Sequence, residues 1–264
     1  EPGFSFNFWE KENETLRNAC TEVTSEDDSD VCNLGSINIG RIDSIGEFRS
    51  IVELATKFLL CGTLVAKLPY QKVDQVRTKN RRLGLGLMGM HEWLVKRGQK
   101  YEVTDELHRW LSVYKGVSNS TSYKLANTLS ISHPVANRAI APTGSIGILA
   151  GTTTGIEPLF AAAYKRRYLK NGRWHYQYVV DGVAKEMVDH YGADPANLDT
   201  SMSLAADARR RIAFQADVQD YVDMSISSTI NLPRWGTSTN TEDNVDNFTE
   251  LLAEYAHRLR GFTC

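Results

Sequence analysis

Three polar side chains near the start of the chain alternate along the sequence: Asn18, Cys20 and Glu22. A second cysteine, Cys32, follows them after an acidic stretch at 26–28 that is typical of a solvated turn. Two thiols at this separation could form a structural disulfide, supply half of a metal site or carry redox chemistry. The spacing by itself leaves these three possibilities open.

The cysteine and histidine spacings argue against a metal site. Cys20 and Cys32 do not form a C-x-x-C pair, and the six histidines show no ligand spacing. The stretch HEWLV, which begins at His91, lacks the second histidine of a zinc protease. We therefore predict no metal ligands. We expect Cys61 to be a buried, inert thiol, because it lies on the apolar face of a predicted helix.

A loop rich in glycine and threonine, APTGSIGILAGTTTGIEPLF at 141–160, is the second stretch that could do chemistry. A strand-like AIA precedes it, and hydroxyls with free backbone N–H groups at a helix start suit a phosphate group. The residues expected at the phosphate are Pro142, Thr143, Gly144, Ser145 and Ile146. An ordinary strand–turn–helix connection explains the same pattern equally well.

The sequence GLGLMG at 84–89 fits the GxGxxG fingerprint of dinucleotide-binding proteins. That fingerprint requires a buried strand before it, whereas residues 77–82, RTKNRR, are basic and polar. We therefore interpret 84–89 as a helix whose small residues allow close packing. This interpretation disfavours a nicotinamide dehydrogenase.

Composition restricts the class of protein. With 264 residues, of which 42% are hydrophobic, the chain has enough apolar side chains for the core of one large or two small domains. The net charge of −2 gives no electrostatic reason to expect binding to nucleic acid or to a membrane surface. No apolar run is long enough to span a bilayer. Four cysteines and no signal peptide favour a reducing, cytoplasmic compartment.

Helical periodicity and short apolar pieces alternate along the chain. Helices are predicted at 47–66, 104–125 with Thr104 as the N-cap, 203–218 and 241–259. The buried stripe expected for the helix at 104–125 is Leu107, Trp110, Leu111, Tyr114 and Val117. Short strands are predicted at 36–39, 138–142, 227–231 and 261–263, and an aromatic hairpin or excursion at 171–181. Strands separated by helices predict an α/β fold with parallel pairing.

Five stretches together resemble the large catalytic subunit of ribonucleotide reductase. They are NACTE (18–22), CNLGSINIG (32–40), RRLGLGLMG (81–89), the loop at 141–160 and STINLP (228–233), in the family's order. The resemblance implies a ten-stranded α/β barrel with the catalytic cysteine on an internal loop. It also implies that residues 1–264 are the C-terminal portion of that barrel. The N-terminal portion and a C-terminal thiol tail would be absent, so the 264 residues alone are expected to be inactive.

The roles of the family's residues carry over to matching positions. Cys20 matches the cysteine that becomes a thiyl radical and removes the 3′ hydrogen of the ribose. Glu22 matches the general base that takes the 3′-hydroxyl proton, and Asn18 matches the amide that hydrogen-bonds the substrate hydroxyls. Alternate residues of an extended loop point the same way, so these three side chains are expected to converge on one sugar.

The resemblance also assigns the reducing thiol and the phosphate site. Cys32 matches one half of the redox pair that donates two electrons as the 2′-hydroxyl leaves as water. Its partner is expected upstream in the barrel, so Cys20 and Cys32 are not expected to form the working disulfide with each other. The stretch from Thr143 to Ile146 matches the loop that holds the substrate phosphates.

Two features of the resemblance favour class II, the adenosylcobalamin-dependent type. Several sequence stretches resemble class II most. The segment at 262–264 lacks the tyrosine pair through which class I enzymes relay a radical. The implied partners are a ribonucleoside di- or triphosphate, the missing N-terminal part of the barrel, a second copy in a homodimer, and a thiol reductant such as thioredoxin. The alternatives are a class I large subunit that depends on a separate radical-generating metal subunit, or a non-catalytic barrel fragment.

Overall fold

Helices and short strands alternate along the part of the chain that the computed structural model describes, residues 4–5 and 13–264. The strands are β1 (Phe4–Ser5), β2 (Leu16–Arg17), β3 (Thr24–Ser25), β4 (Asn33–Asn38), β5 (Leu83–Met88), β6 (Ala163–Lys170), β7 (Arg173–Val180) and β8 (Gly261–Phe262). The α-helices are α1 (Ile45–Val65), α2 (Gln71–Asn80), α3 (Met90–Lys96), α4 (Asp105–Thr128), α5 (Gly144–Ala150), α6 (Gly182–Tyr191), α7 (Ser201–Leu204), α8 (Ala208–Gln219) and α9 (Val245–Ala256). Short 3₁₀ helices lie at Ile39–Arg41 and Glu242–Asn244. None of the described helices is both long and apolar enough to cross a bilayer.

Parallel pairing forms the frame on which the candidate site is built. β4 and β5 pair along their whole length, from Asn33 opposite Leu83 to Asn38 opposite Met88. Single parallel bridges extend this ladder through residues 138–140, 226–229 and 263. The chain therefore has the α/β fold with parallel pairing that the sequence predicts. The described strands do not close into a barrel, so the ten-stranded barrel stays a prediction.

The helix predicted at 84–89 is wrong, because Leu83–Met88 form the strand β5. All six residues of β5 are buried, and the backbone turns at Gly89, with φ 75°, before α3 begins. The basic residues upstream do not exclude a buried strand, because Arg82 is itself buried. It forms an ion pair with Asp30 at 2.7 Å. A parallel strand that is covered on both faces reads as a continuous apolar run rather than as an alternating one.

The positions of the glycines in the GLGLMG stretch also argue against the dinucleotide-binding hypothesis. In that fingerprint the glycines form the turn after a strand, where the backbone can approach a pyrophosphate. Here Gly84 and Gly86 lie inside β5, and only Gly89 lies in the turn. A Cβ on Gly86 would come within 2.7 Å of the Ala139 carbonyl oxygen, so this glycine allows neighbouring strands to pack closely.

Two long helices, α1 and α4, pack against each other, and α1 also packs on β4 and β5. Each helix begins at a side-chain cap: the Ser44 hydroxyl accepts from the Glu47 N–H at 3.2 Å, and the Thr104 hydroxyl accepts from the Leu107 N–H at 3.3 Å. The apolar stripe predicted for α4 is buried: Leu107, Trp110, Leu111, Tyr114 and Val117. The predicted N-cap and core face of this helix are therefore confirmed.

Cys61 is exposed on α1, so the prediction of a buried thiol at this position is wrong. Phe58 and Val65 on the same helix are 75% and 78% exposed. The apolar residues of α1 thus extend beyond the face that packs on α4 and the strands. Helical periodicity identifies the helix, but it does not distinguish its buried apolar residues from its exposed ones.

The remaining predicted helices and the hairpin are present with changed bounds, whereas the strands predicted at 138–142 and 227–231 are reduced to single bridges. The helix predicted at 203–218 is divided into α7 and α8, and the Asp207 carboxylate caps α8 by accepting from the Arg210 N–H at 3.3 Å. The helix predicted at 241–259 is the shorter α9, preceded by a 3₁₀ turn. The predicted hairpin is β6–β7, joined at Asn171 and Gly172 with φ values of 53° and 72°. Two consecutive positive φ angles are typical of a two-residue hairpin turn.

Candidate active site

Asn18, Cys20 and Glu22 lie in a tight hairpin loop between β2 and β3. Asn18 closes this loop twice: its N–H donates to the Val23 carbonyl at 3.2 Å, and its Oδ1 accepts from the Val23 N–H at 3.0 Å. Thr21 has a positive φ of 69°, a conformation that costs a non-glycine residue about 1–3 kcal/mol. The expectation of an extended loop is therefore wrong, and strand-like alternation does not orient the three side chains.

The thiol and the carboxylate of the hairpin loop have opposite environments. Cys20 is exposed, whereas Glu22 is only 2% exposed. The Oε2 atom of Glu22 has no hydrogen-bond partner among the described residues. Burial of a carboxylate oxygen without a partner is unfavourable. This oxygen is therefore suited to accept a hydrogen bond or a proton from a ligand.

Arg17 anchors the hairpin loop to segments that are distant in sequence. Its guanidinium donates to the Thr21 carbonyl at 3.2 Å, to the Ser225 hydroxyl at 3.4 Å and to the Arg260 carbonyl at 2.5 Å. Ser225 in turn donates its N–H to the Glu22 carbonyl at 3.0 Å. These contacts fix the loop to the ladder and offset the strain at Thr21.

The acidic run after the hairpin is more than the solvated turn that the sequence predicts. Exposed ion pairs join it to α2: Asp27–Lys79 and Asp28–Lys72. Exposed pairs of this kind contribute little to stability, because water and salt screen them. The buried Asp30–Arg82 pair has a larger effect, because removing one partner of a buried pair costs about 3–5 kcal/mol. This pair fixes the chain immediately before Cys32.

Cys32 lies directly before β4 and is half-buried between neighbouring segments. It packs against a small cluster that consists of Ala136, Ala139 and Met224. Gly84 of β5 is a further close neighbour, since a Cβ built there would lie 2.9 Å from the Cys32 sulfur. A glycine at this point of the RRLGLGLMG stretch therefore makes room for the thiol.

Burial raises the pKa of the Cys32 thiol well above its usual range. The positive charge of Arg82 opposes this rise in pKa, whereas the negative charges of Asp30 and Glu22 add to it. Cys32 is therefore protonated at neutral pH, unlike a reactive cysteine of low pKa. The effect of Glu22 also indicates that the structure brings these two predicted site residues within electrostatic reach of each other.

We expect Gly84→Ala to destabilise the protein by about 1–3 kcal/mol, because the added methyl group overpacks the site. It would meet the Leu34 side chain at 2.4 Å and the Cys32 sulfur at 2.9 Å. Urea unfolding measures the change in the free energy of unfolding. The matched control is Gly116→Ala inside α4, where a Cβ meets nothing within 4 Å; there the change should stabilise by about 0.5–1 kcal/mol. Equal stability of Gly84→Ala and the unsubstituted protein would contradict the proposed packing.

The predicted phosphate-binding residues lie where α5 begins, directly after Pro142. Thr143 is buried at the N-cap with φ 51°, and its hydroxyl accepts from the Gly155 N–H at 2.8 Å. Gly144, Ser145 and Ile146 form the exposed first turn. The first N–H groups of a helix have no partner within that helix, and the helix dipole adds partial positive charge. The backbone here is arranged to bind an anion.

Ser225 connects the hairpin loop to the segment that leads to α5. Its N–H donates to the Glu22 carbonyl at 3.0 Å, and its carbonyl accepts from the Ile140 N–H at 3.2 Å. Ile140 lies two residues before Pro142. The structure therefore attaches the hairpin loop and the predicted phosphate loop to neighbouring ends of the same ladder.

Sequence reasoning missed the residues that hold this site together. They are Arg17, Asp30, Arg82 and Ser225. Their charged or polar side chains look like solvated surface because the contacts that fix the site are to residues distant along the chain. One signal was available: Arg82 directly precedes six consecutive residues without a charge, which is typical of an arginine that enters a core with a carboxylate partner.

Comparison with curated proteins finds relatives among the ribonucleotide reductases. The chain is 27% identical to the vitamin B12-dependent ribonucleoside-diphosphate reductase of Mycobacterium tuberculosis, across 88% of this chain and 38% of that protein. It is 28% identical to the enzyme of the same description from Thermoplasma acidophilum, across 76% of this chain and 32% of that protein. The chain thus spans about a third of the length of these relatives.

Solved structures and a family model agree with these relatives. A B12-dependent class II ribonucleotide reductase superposes with a TM-score of 0.76, covering 99% of this chain and 42% of that chain at 15% identity. The class Id ribonucleotide reductase alpha subunit of Actinobacillus ureae superposes with a TM-score of 0.68 at 17% identity, covering 94% of this chain and 52% of that chain. These low identities show the fold alone. The model "Ribonucleotide reductase, barrel domain" matches residues 5–131 and 133–263, and the chain therefore belongs to the ribonucleotide reductase barrel-domain family.

Proposed function

We propose that this chain forms part of the ten-stranded catalytic barrel of a ribonucleotide reductase, which converts ribonucleotides into 2′-deoxyribonucleotides. The observation that carries the proposal is the hairpin loop. It exposes the Cys20 thiol two residues from Glu22, a buried carboxylate whose Oε2 has no partner among the described residues. The half-buried thiol of Cys32 lies within electrostatic reach of that carboxylate. The reaction needs these three groups as hydrogen-atom carrier, base and reductant.

Cys20 is proposed to carry the radical. As a thiyl radical it removes the 3′ hydrogen atom of the ribose, and it returns a hydrogen atom when reduction is complete. A thiol suits this role because its S–H bond is close enough in strength to the ribose C–H bond for transfer in both directions. The exposure of Cys20 supports the role, since both the substrate and a source of radicals must reach the sulfur.

Glu22 is proposed to take the proton of the 3′-hydroxyl while the radical is on the sugar. A general base must lie within hydrogen-bond reach of the proton that it takes. The unpartnered Oε2 of Glu22 supports this role. Asn18 is proposed to hold the substrate hydroxyls. Its Oδ1 already accepts from the Val23 N–H, which leaves its side-chain NH₂ as the donor to the substrate.

Cys32 is proposed to supply one of the two reducing thiols. The 2′-hydroxyl leaves as water, two thiols lose two electrons and two hydrogens, and a disulfide forms between Cys32 and a second cysteine. Each turnover then needs an external dithiol, such as thioredoxin, to reduce that disulfide by exchange. The half-buried position of Cys32 and its raised pKa support this role, because the thiol is protonated at neutral pH and has a hydrogen to give.

The first turn of α5 is proposed to bind the phosphates of a ribonucleoside di- or triphosphate. The exposed backbone at Gly144, Ser145 and Ile146 supports this role, as does the shared attachment of this loop and the hairpin loop to Ser225. Pro142 and Thr143 set the direction of the turn.

We propose that the radical source is adenosylcobalamin, as in class II. The relatives named above as vitamin B12-dependent support this cofactor. When bound, adenosylcobalamin supplies a deoxyadenosyl radical that takes a hydrogen atom from a thiol. The described residues fit this cofactor at one point, the exposed sulfur of Cys20. Homodimer formation and a cytoplasmic location stay predictions from the family resemblance.

Glu22→Gln tests the proposal with little change in side-chain volume. We expect kcat for reduction of cytidine 5′-diphosphate to fall about 10²–10⁴-fold, since an amide cannot take the 3′-hydroxyl proton. The measurement is deoxycytidine diphosphate formation by the protein as its gene encodes it, with adenosylcobalamin and dithiothreitol. Glu106→Gln, at a partly exposed carboxylate on α4 that pairs with Arg97 at 3.1 Å, is the matched control and should stay within about twofold of the unsubstituted enzyme. A Glu22→Gln rate equal to that of the control would contradict the assignment.

A further inference from the structure

A buried carboxylate on α3, that of Glu92, lies beneath the segment where the chain leaves α5. Glu92 is fully buried, and its Oε2 accepts a hydrogen bond from the Thr152 hydroxyl. Two cations balance its charge: Lys96 Nζ lies 2.7 Å from Oε1, and Arg41 Nε lies 3.4 Å from Oε1. Neither the motifs that identify the family nor the proposed chemistry uses this group.

The Glu92 cluster contacts three consecutive residues after α5. Arg41 donates from Nη2 to the Gly151 carbonyl at 3.0 Å. Thr152 is held by the Glu92 carboxylate, and the Thr153 hydroxyl accepts from the Glu92 N–H at 3.4 Å. The Thr152–Glu92 contact is a buried hydrogen bond to a charged group, which is among the strongest kinds of side-chain contact. The exit of the loop is therefore held by charges that belong to other elements.

The position of Thr152 is transmitted to the start of α5 through the backbone. The Thr152 N–H donates to the Gly147 carbonyl at 3.0 Å, and the Gly147 N–H donates to the Thr143 carbonyl at 2.7 Å. Thr143 is the N-cap from which the proposed phosphate-binding turn begins. Because α5 has only seven residues, these two hydrogen bonds connect Thr152 directly to the residue from which its first turn begins.

Two glycines leave the space that this cluster occupies. A Cβ on Gly89 would lie 2.6 Å from the Thr152 hydroxyl oxygen, and a Cβ on Gly40 would lie 2.9 Å from the Glu92 carboxyl carbon. Gly89 also donates its N–H to the Thr153 carbonyl at 2.7 Å. The close fit means that the carboxylate cannot shift to follow a displaced loop, and the loop is held in one position.

We propose that Glu92 is a positioning residue for substrate binding: its carboxylate, through Thr152, holds the first turn of α5 in the geometry that receives the substrate phosphates. The inference rests on the proposed phosphate role of residues 142–146. It assigns to Glu92 an effect on phosphate affinity, whereas a purely structural ion cluster would affect only the stability of the fold.

Thr152→Val tests the proposal, because valine keeps the shape of threonine and removes the hydroxyl, which contacts the Glu92 carboxylate and, at 3.1 Å, Asn38 Oδ1. We expect KM for cytidine 5′-diphosphate to rise about tenfold, equivalent to ~1.4 kcal/mol, with kcat reduced by less than about threefold. The inhibition constant of inorganic pyrophosphate, used as a competitor without a sugar, should rise by the same factor. Thr152→Ser restores the hydroxyl and should bring both constants within about threefold of the unsubstituted enzyme. Glu92→Gln should raise the same two constants if it folds, and Thr152→Val keeps the proposal testable if it does not.

Thr56→Val is the matched control. Thr56 is a buried threonine of α1 whose hydroxyl donates to the Val52 carbonyl at 2.7 Å. Its substitution should lower the free energy of unfolding without changing either constant. If Thr152→Val changes stability but leaves KM and pyrophosphate inhibition unaltered while the unsubstituted enzyme reduces the nucleotide, the positioning role is overturned and the proposed function stands. If the unsubstituted protein neither reduces the nucleotide nor binds pyrophosphate, the proposed function fails and the inference fails with it.

Discussion

Cys20→Ser is expected to reduce deoxyribonucleotide formation to background, a loss of at least about a thousandfold, or ~4 kcal/mol of barrier. A serine hydroxyl cannot replace the thiol, because its O–H bond is too strong to exchange a hydrogen atom with the ribose C–H bond in both directions. The folded protein should be little affected, since Cys20 is exposed at the hairpin loop. An exposed substitution of this kind changes the free energy of unfolding by about 0.5 kcal/mol or less.

The measurement compares turnover with nucleotide binding in the same preparation. Cys20→Ser should bind cytidine 5′-diphosphate with unchanged affinity while forming no product. Cys61→Ser is the matched control, because Cys61 is also an exposed free thiol but lies on α1; it should retain full turnover. Measurable turnover by Cys20→Ser would remove Cys20 from the radical role.

Cys32→Ser is expected to stop net reduction while leaving the first hydrogen transfer intact. Without the Cys32 thiol the substrate radical cannot receive the electrons that replace the 2′-hydroxyl, so product formation should fall by at least about a thousandfold. The Cys20 thiol should still exchange hydrogen with the 3′ position of the ribose. Release of tritium from a 3′-tritiated nucleotide reports the first step, and deoxynucleotide formation reports the whole reaction.

A serine at position 32 also places a hydroxyl in a half-buried site, so Cys32→Ala serves as a second variant. Alanine removes the reducing thiol without adding a buried polar group, at the cost of a small cavity. Both variants should lose net reduction, and Cys264→Ser, at another exposed free thiol, should not. Normal product formation by Cys32→Ala would show that the reducing electrons come from elsewhere.

The elements that the sequence predicted well are those with a clear hydrophobic period. The α4 helix follows from a 3.6-residue repeat and a threonine cap, and its stripe is buried as expected. The β5 strand was misassigned because it is buried on both faces, which removes the two-residue alternation by which strands are recognised. Its basic neighbour Arg82 reinforced the error, since the compensating Asp30 lies far upstream.

The candidate site was also only partly predictable from the sequence. The NACTE and CNLGSINIG motifs identified the residues of interest and the family to which the chain belongs. They did not predict the tight turn at Thr21, because that turn is held by Arg17 and by Ser225. The supporting role of the Glu92 carboxylate was likewise not predicted, since two of its partners, Arg41 and Thr152, are distant along the chain.

The sequence by itself determined which chemical groups this protein has and the family in which they are combined. Only the tertiary structure decided the environment of each group. It exposed Cys20 and Cys61, half-buried Cys32 over Gly84, and left a buried oxygen of Glu22 without a partner among the described residues. The physical reason is that burial and charge pairing depend on contacts between residues far apart along the chain, whereas a local motif specifies only its own side chains.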